Sequence, residues 1–165
     1  RHTVDLGCGT GLFAAALGGN AGYLEGYDLS RRMLAKAAAK GLYNYLDRAD
    51  LSLTPEKSGL FADAAAHRAD LVAAADVMMY LGDLDAAFVN VAALLAPDGV
   101  FAFSVEKHAG EGYGLRQSLR YAHSVSHVQA ALAKHRMLSI AEEETVIRWD
   151  AGAPVTGLLF LARVA

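Results

Sequence analysis

The residue types best suited to chemistry crowd into one short stretch, Asp5-Leu6-Gly7-Cys8-Gly9-Thr10-Gly11. Glycine at alternate positions lets the backbone take positive φ and lets a ligand approach the main chain closely. Asp5 adds negative charge just ahead of that turn, which suits a ligand carrying cationic groups and disfavours one carrying phosphate. A second acid, Asp28, closes the next apolar run. A carboxylate at the end of a second parallel strand can accept from both hydroxyls of a ribose. Asp50 and Asp76 follow two later runs. Any one of these acids alone reads as an ordinary turn residue; all of them in order after predicted strands point to one ligand edge. Cys8 reads as a small buried thiol, with nothing beside it to make it a nucleophile.

The elements that must position these residues follow from periodicity. Strands are expected at 3–6, 22–28, 45–49, 70–75 and 100–105, and two long ones at 138–149 and 155–164 whose 150–154 connection is short enough for an antiparallel hairpin. Helices are expected from Thr10 to Leu17, from an N-capping Ser30 to Gly41, within 55–67, from 84 to 95 behind Asp83, and from a Ser126/Gln129 capping box to about His135. Pro97-Asp98-Gly99 reads as a turn into the fifth strand. Alternating strands and helices define an α/β, Rossmann-like, doubly wound sheet.

Composition narrows the classes. At 165 residues with 54% apolar and 20% charged side chains, the chain can bury one substantial core. Fifteen basic against 18 acidic residues give a net charge of −3, so no global positive field draws nucleic acid or an anionic membrane. A single cysteine allows no internal disulfide and suits a cytoplasmic chain. No apolar run reaches the roughly 18–20 residues of a membrane span, and Arg1-His2-Thr3-Val4-Asp5 lacks signal-peptide anatomy. The first strand comes without a preceding covering helix, so residues 1–165 are expected to be one domain lacking an N-terminal helix or upstream region.

The glycine turn resembles the cofactor loop of class I S-adenosylmethionine-dependent methyltransferases. Gly26-Tyr27-Asp28-Leu29-Ser30 with Met33, Ala49-Asp50-Leu51, Asp70 to Asp76 and Leu94-Leu95-Ala96-Pro97-Asp98-Gly99 fall in that family's order, and the resemblance covers residues 3–164. It implies a seven-stranded sheet of order 3-2-1-4-5-7-6 with strand 7 antiparallel, S-adenosylmethionine as cofactor and S-adenosylhomocysteine as product. Residue by residue, Gly7, Gly9 and Gly11 would line the methionine part and Asp5 would reach its ammonium. Asp28 would hold the ribose, Leu29 and Met33 would flank the adenine, Asp50 and the Leu51 backbone would meet its polar edge, and Asp76 would lie near the methionine or the acceptor. A nicotinamide dinucleotide site is the rival, but its fingerprint needs glycine at position 12, which is Leu12. A narrower resemblance, through Asp76 to Leu84, Phe103-Ser104-Val105-Glu106 and Arg120-Tyr121-Ala122-His123-Ser124, is to a bacterial subgroup often carrying upstream tetratricopeptide repeats.

For the acceptor side, Tyr80, His108 and His123 are the candidate bases if the acceptor must lose a proton. Residues 107–124 carry Lys107, His108, Arg116, Arg120 and His123 against one acid, Glu111, and with Tyr113 and Tyr121 could form a cationic roof over an anionic small molecule. Arg116, Arg120 and Tyr121 are the expected substrate contacts. The plain alternative is a solvated basic loop. A protein acceptor, or a module that binds the cofactor without catalysis, are the competing functions. His123 and His127 are four apart, but the capping box puts His123 ahead of the helix and no third ligand is in view, so no metal is expected.

Overall fold

A computed structural model describes all 165 residues. The elements run β1 (His2–Leu6), α1 (Leu12–Leu17), β2 (Tyr23–Asp28), α2 (Arg31–Ala39), β3 (Tyr45–Arg48), α3 (Pro55–Ser58), β4 (Ala69–Ala74), α4 (Asp85–Leu94), β5 (Leu95–Lys107), β6 (Tyr113–Leu115), β7 (Tyr121–His123), α5 (Val125–Lys134), β8 (Met137–Asp150) and β9 (Ala153–Val164). Strands β3-β2-β1-β4-β5 pair in parallel in that order, and β9 then runs antiparallel between β5 and β8. Taking the two long C-terminal strands as the sixth and seventh recovers the expected 3-2-1-4-5-7-6.

The sheet has nine strands rather than seven, because part of the expected loop at 107–124 folds into the short antiparallel pair β6–β7, which joins β5 at Glu106 and Lys107. Three-residue strands carry no periodicity to read. Three local expectations also change. The helix within 55–67 is a single turn that stops at Gly59, in the left-handed region at φ 91°. Pro97-Asp98-Gly99 lies inside β5, whose pairing with β4 shifts register between Ala69 and Leu71. Ser124, not Ser126, caps α5 by accepting from the His127 amide at 3.1 Å, while Gln129 turns away to donate to Glu142. Ser30 caps α2 as expected, accepting from the Met33 amide.

The central strands β1, β2 and β4 are buried almost continuously, being covered on both faces, and the sheet divides the core. Val4, Leu6 and Val72 join Phe88 of α4 and Leu132 of α5 on one face, where Phe101, Phe103 and Phe160 stack at 4.3 and 5.1 Å and Phe88 meets two of them edge-on. Ala14 of α1, Ala21 and Leu24 form a smaller cluster with Leu17 and Tyr43 on the other. With α1 on one face and α4 and α5 on the other, β1 and β4 flank the switch point, where open sheets of this kind bind ligands outside the strands' carboxyl ends. A buried charge cluster ties the strands together toward their amino ends: Arg68, just before β4, donates to both oxygens of Glu25 on β2, which also receives Tyr27 Oη and His2. Burial alone would raise the Glu25 carboxyl, but these donors outweigh it and hold it below its ordinary value.

Candidate functional site

The glycine turn is shaped by what surrounds it. Gly7, Gly9 and Gly11 all have positive φ, and a Cβ on Gly7 would sit 2.7 Å from Val77 Cγ2, so the turn and the segment after β4 close against each other only because Gly7 has no side chain. The Cys8 amide donates to the Tyr27 carbonyl at 2.9 Å, tying the turn to β2. Asp28 completes that tie: its Oδ2 accepts from the Gly9 amide at 2.9 Å and its Oδ1 from the Ser30 amide at 2.8 Å. One carboxylate thus organises both the turn and the start of α2 while keeping lone pairs free for a ligand's hydroxyls.

Asp50 follows β3, its carboxylate accepting from the Ser52 hydroxyl and amide, which hold it below the usual carboxylate range. Asp76 and the turn Met78–Tyr80 follow β4. Asp28, Asp50 and Asp76 line one cleft of about 440 Å³, together with Gly7, Leu29, Leu51, Val77, Tyr80 and Leu81, and no Lys, Arg or His side chain lines it. Tyr80 stands 65% exposed at the rim. Arg148 of β8 reaches Asp76 from outside the cleft. An apolar cavity of about 420 Å³ between Phe13 and β4, β5, β8 and β9 has only Ser104, Glu142 and Glu143 as polar side chains and gathers none of these acids.

The remaining expected residues fall elsewhere. Gly9 and Gly11 shape the turn from behind, and Met33 lies exposed on α2 beside the cleft rather than in its wall. Asp5 is 1% exposed under the turn and accepts from the Tyr43 hydroxyl at 2.7 Å. Burial pushes it up to about 7, partly offset by that hydrogen bond, with Asp28 adding a further rise. His108 packs over Gly110 of its own loop and Gly114 of β6. His123 is fully buried, donates from Nε2 to the Gly82 carbonyl at 2.9 Å and stacks on His127; burial is the main reason its basicity is lowered. Tyr121 packs edge-on to Tyr113 beside Gly82.

The arginines expected to form a basic roof are paired with acids instead. Arg116 and Arg120 both donate to Glu106, which is 1% exposed, at 3.3 and 3.0 Å, and Arg120 also reaches Asp150 at 3.0 Å. Counting charges along the loop left out the acids that β5 and β8 bring against it. Two residues that matter escaped the sequence, Tyr43 and Glu106. A glycine in the middle of a predicted strand, Gly26, was the available sign that something packs closely there; for Glu106 there was none.

Comparison with known proteins speaks to the family and the fold. The family described as "Methyltransferase domain" matches residues 4–101. An S-adenosylmethionine-dependent methyltransferase structure from Mesorhizobium loti is 26% identical, with a TM-score of 0.74 over 98% of this chain and 90% of that one. One from Methanosarcina mazei, at 12% identity, shares the fold with a TM-score of 0.76 over 99% and 92% of the two chains. A ubiquinone biosynthesis O-methyltransferase of Coxiella burnetii is 26% identical over 105 residues, 63% of this chain and 43% of that protein, so the chain spans less than half the length of this relative. No helix is long and apolar enough to cross a membrane.

Proposed function

The chain belongs to the methyltransferase domain family, and on that premise we propose that it binds S-adenosylmethionine in the cleft beside β1, β2 and β4 and transfers the methyl group to a small-molecule acceptor. The observation that carries this reading is the cleft's charge: three carboxylates and no cationic side chain line it, and only Asp76 is offset, by Arg148 from outside. That polarity suits a ligand with ammonium and sulfonium charges and no phosphate, and it is hostile to a dinucleotide.

When bound, S-adenosylmethionine supplies a sulfonium methyl to an acceptor lone pair and leaves as S-adenosylhomocysteine. The protein's part is to bind, align and exclude water. Asp28 accepts from the ribose hydroxyls with the lone pairs its two backbone donors leave free. Leu29 and Leu51 give the adenine apolar contact, with Met33 closing from α2, and Asp50 and the Leu51 backbone meet its polar edge. The backbone of the turn that Gly7, Gly9 and Gly11 shape lies against the methionine chain, and Asp5 offers its negative charge to the ammonium. Asp76 and Tyr80 stand at the open end, where an acceptor enters.

Of the candidate bases, Tyr80 is the one beside the cleft; His108 and His123 lie outside its wall, and His123 is committed to Gly82. Arg116 and Arg120 are already neutralised, so an acceptor need not be anionic. The Coxiella relative's name, an O-methyltransferase of ubiquinone biosynthesis, supports a small acceptor. Incubating the protein with methyl-labelled cofactor and a cell extract, followed by mass spectrometry, is expected to find label in a small molecule. Label confined to protein would redirect the acceptor, and cofactor binding without any labelled product would leave a binding module.

A further inference from the structure

We propose that Tyr43 is a positioning residue of the cofactor cleft, its ring propping the glycine turn from beneath and its hydroxyl fixing the carboxyl of Asp5. This rests on the reading of the cleft as a methyl-donor site.

The ring's seat is cut by two glycines. A Cβ built on Gly26, in the middle of β2, would fall 2.5 Å from Tyr43 Cε1, and one on Gly11, at the start of α1, 3.1 Å from Cε2. Any larger residue at Gly26 would expel the ring, so a glycine that would otherwise only weaken a strand has a use here. Tyr43 also packs against the Ala14, Ala21 and Leu24 cluster, which joins α1 to β2. From that seat its hydroxyl reaches Asp5 Oδ2 at 2.7 Å and is the one side-chain donor this carboxyl has, leaving Oδ1 without a protein partner. Tyr43 therefore bears on both the shape and the charge of the turn, beside the tie that Asp28 makes to the Gly9 amide.

Burial does most to raise the Asp5 carboxyl, and among the groups around it Tyr43 is the one that favours its ionised form. Asp28, at the end of β2, adds negative charge. Cys8, in the turn, is pushed up to about 12 by burial and stays neutral near pH 7. Lys40, at the end of α2, brings its aliphatic stem to 3.8 Å from where a Cβ on Gly11 would lie. Tyr43 itself is raised, by burial and then by Asp5, so it remains a donor. Because an ionised Asp5 attracts an ammonium and a protonated one does not, cofactor affinity should rise with pH through the region near 7 where Asp5 titrates.

The test is S-adenosylmethionine calorimetry from pH 5.5 to 9 on the wild type, Tyr43→Phe and Asp5→Asn, alongside carboxyl titration by 13C NMR in the free protein. Tyr43→Phe keeps the ring and removes the donor. It should move the Asp5 midpoint up by about one pH unit and weaken binding about tenfold at pH 6.5, with affinity recovering at the alkaline end. Asp5→Asn should flatten the profile. A Tyr43→Phe profile that overlies the wild type, or falls by the same factor at every pH as a packing defect would, overturns the proposal. If the wild type binds no cofactor at any pH, the methyl-donor reading fails, and an unmoved Asp5 titration in Tyr43→Phe would separately overturn the coupling.

Discussion

Asp28 carries two kinds of work on one carboxylate, organising the turn through the Gly9 and Ser30 amides and facing the cleft. Asp28→Ala removes the ribose acceptor and leaves both amides without their partner, so cofactor affinity should fall by at least about tenfold in calorimetry, while far-ultraviolet circular dichroism stays native. Asp5 has the opposite balance. Its ordinary value of 3.8 is pushed to about 7 in the fold, so across that interval the native state holds a proton that the unfolded chain has released. Stability should therefore decline as pH climbs from about 4 to 7, by up to about 4 kcal/mol. Asp5→Asn should flatten that slope and raise the melting temperature at neutral pH, the mark of an acid kept for binding at a cost to the fold. The order of acids after predicted strands made Asp5, Asp28, Asp50 and Asp76 legible beforehand. Tyr43 was not, because its partner lies 38 residues away and local pattern does not encode long-range contact.

The elements show the same division. The strands that repeat hydrophobic residues and the helices with strong caps, such as α2 behind Ser30, could be read from local chemistry, and so could the β8–β9 hairpin. The β6–β7 hairpin could not, since three-residue strands exist only through their pairing with each other and with β5. Its charges depend on that pairing as well. Arg120→Ala, which strips one partner from buried Glu106 while Arg116 remains, should lower stability by about 1–3 kcal/mol in denaturant unfolding, where a free substrate-binding arginine would leave stability unchanged. The brace of Glu25 and Arg68 should be costlier to break. Arg68→Met leaves a buried carboxylate short of its main partner and should cost about 3–5 kcal/mol at neutral pH. Because Glu25 is held below its ordinary 4.5, the pair's contribution is present above that value, and the difference from wild type should shrink as pH falls below it.

For the whole molecule, the sheet order brings the ends of β1, β2, β3 and β4 to one edge, which is why four acids scattered over the sequence from Asp5 to Asp76 gather around one turn. A formal charge of −3 says little by itself; its placement says more, with Asp28, Asp50 and Asp76 in the cleft wall, Arg148 offsetting only Asp76 from outside, and Arg120 near the sheet's far edge already paired with Glu106. The glycine turn, the carboxylates of Asp28 and Asp50 that no cation pairs and the family's match to residues 4–101 converge on one claim, that this cleft holds a cationic methyl donor. Isothermal calorimetry of the folded protein with S-adenosylmethionine at pH 8 tests it most directly. Saturable one-to-one binding that Asp28→Ala weakens at least about tenfold is the expected result; no binding by a demonstrably folded chain, or equal affinity in Asp28→Ala, would contradict it.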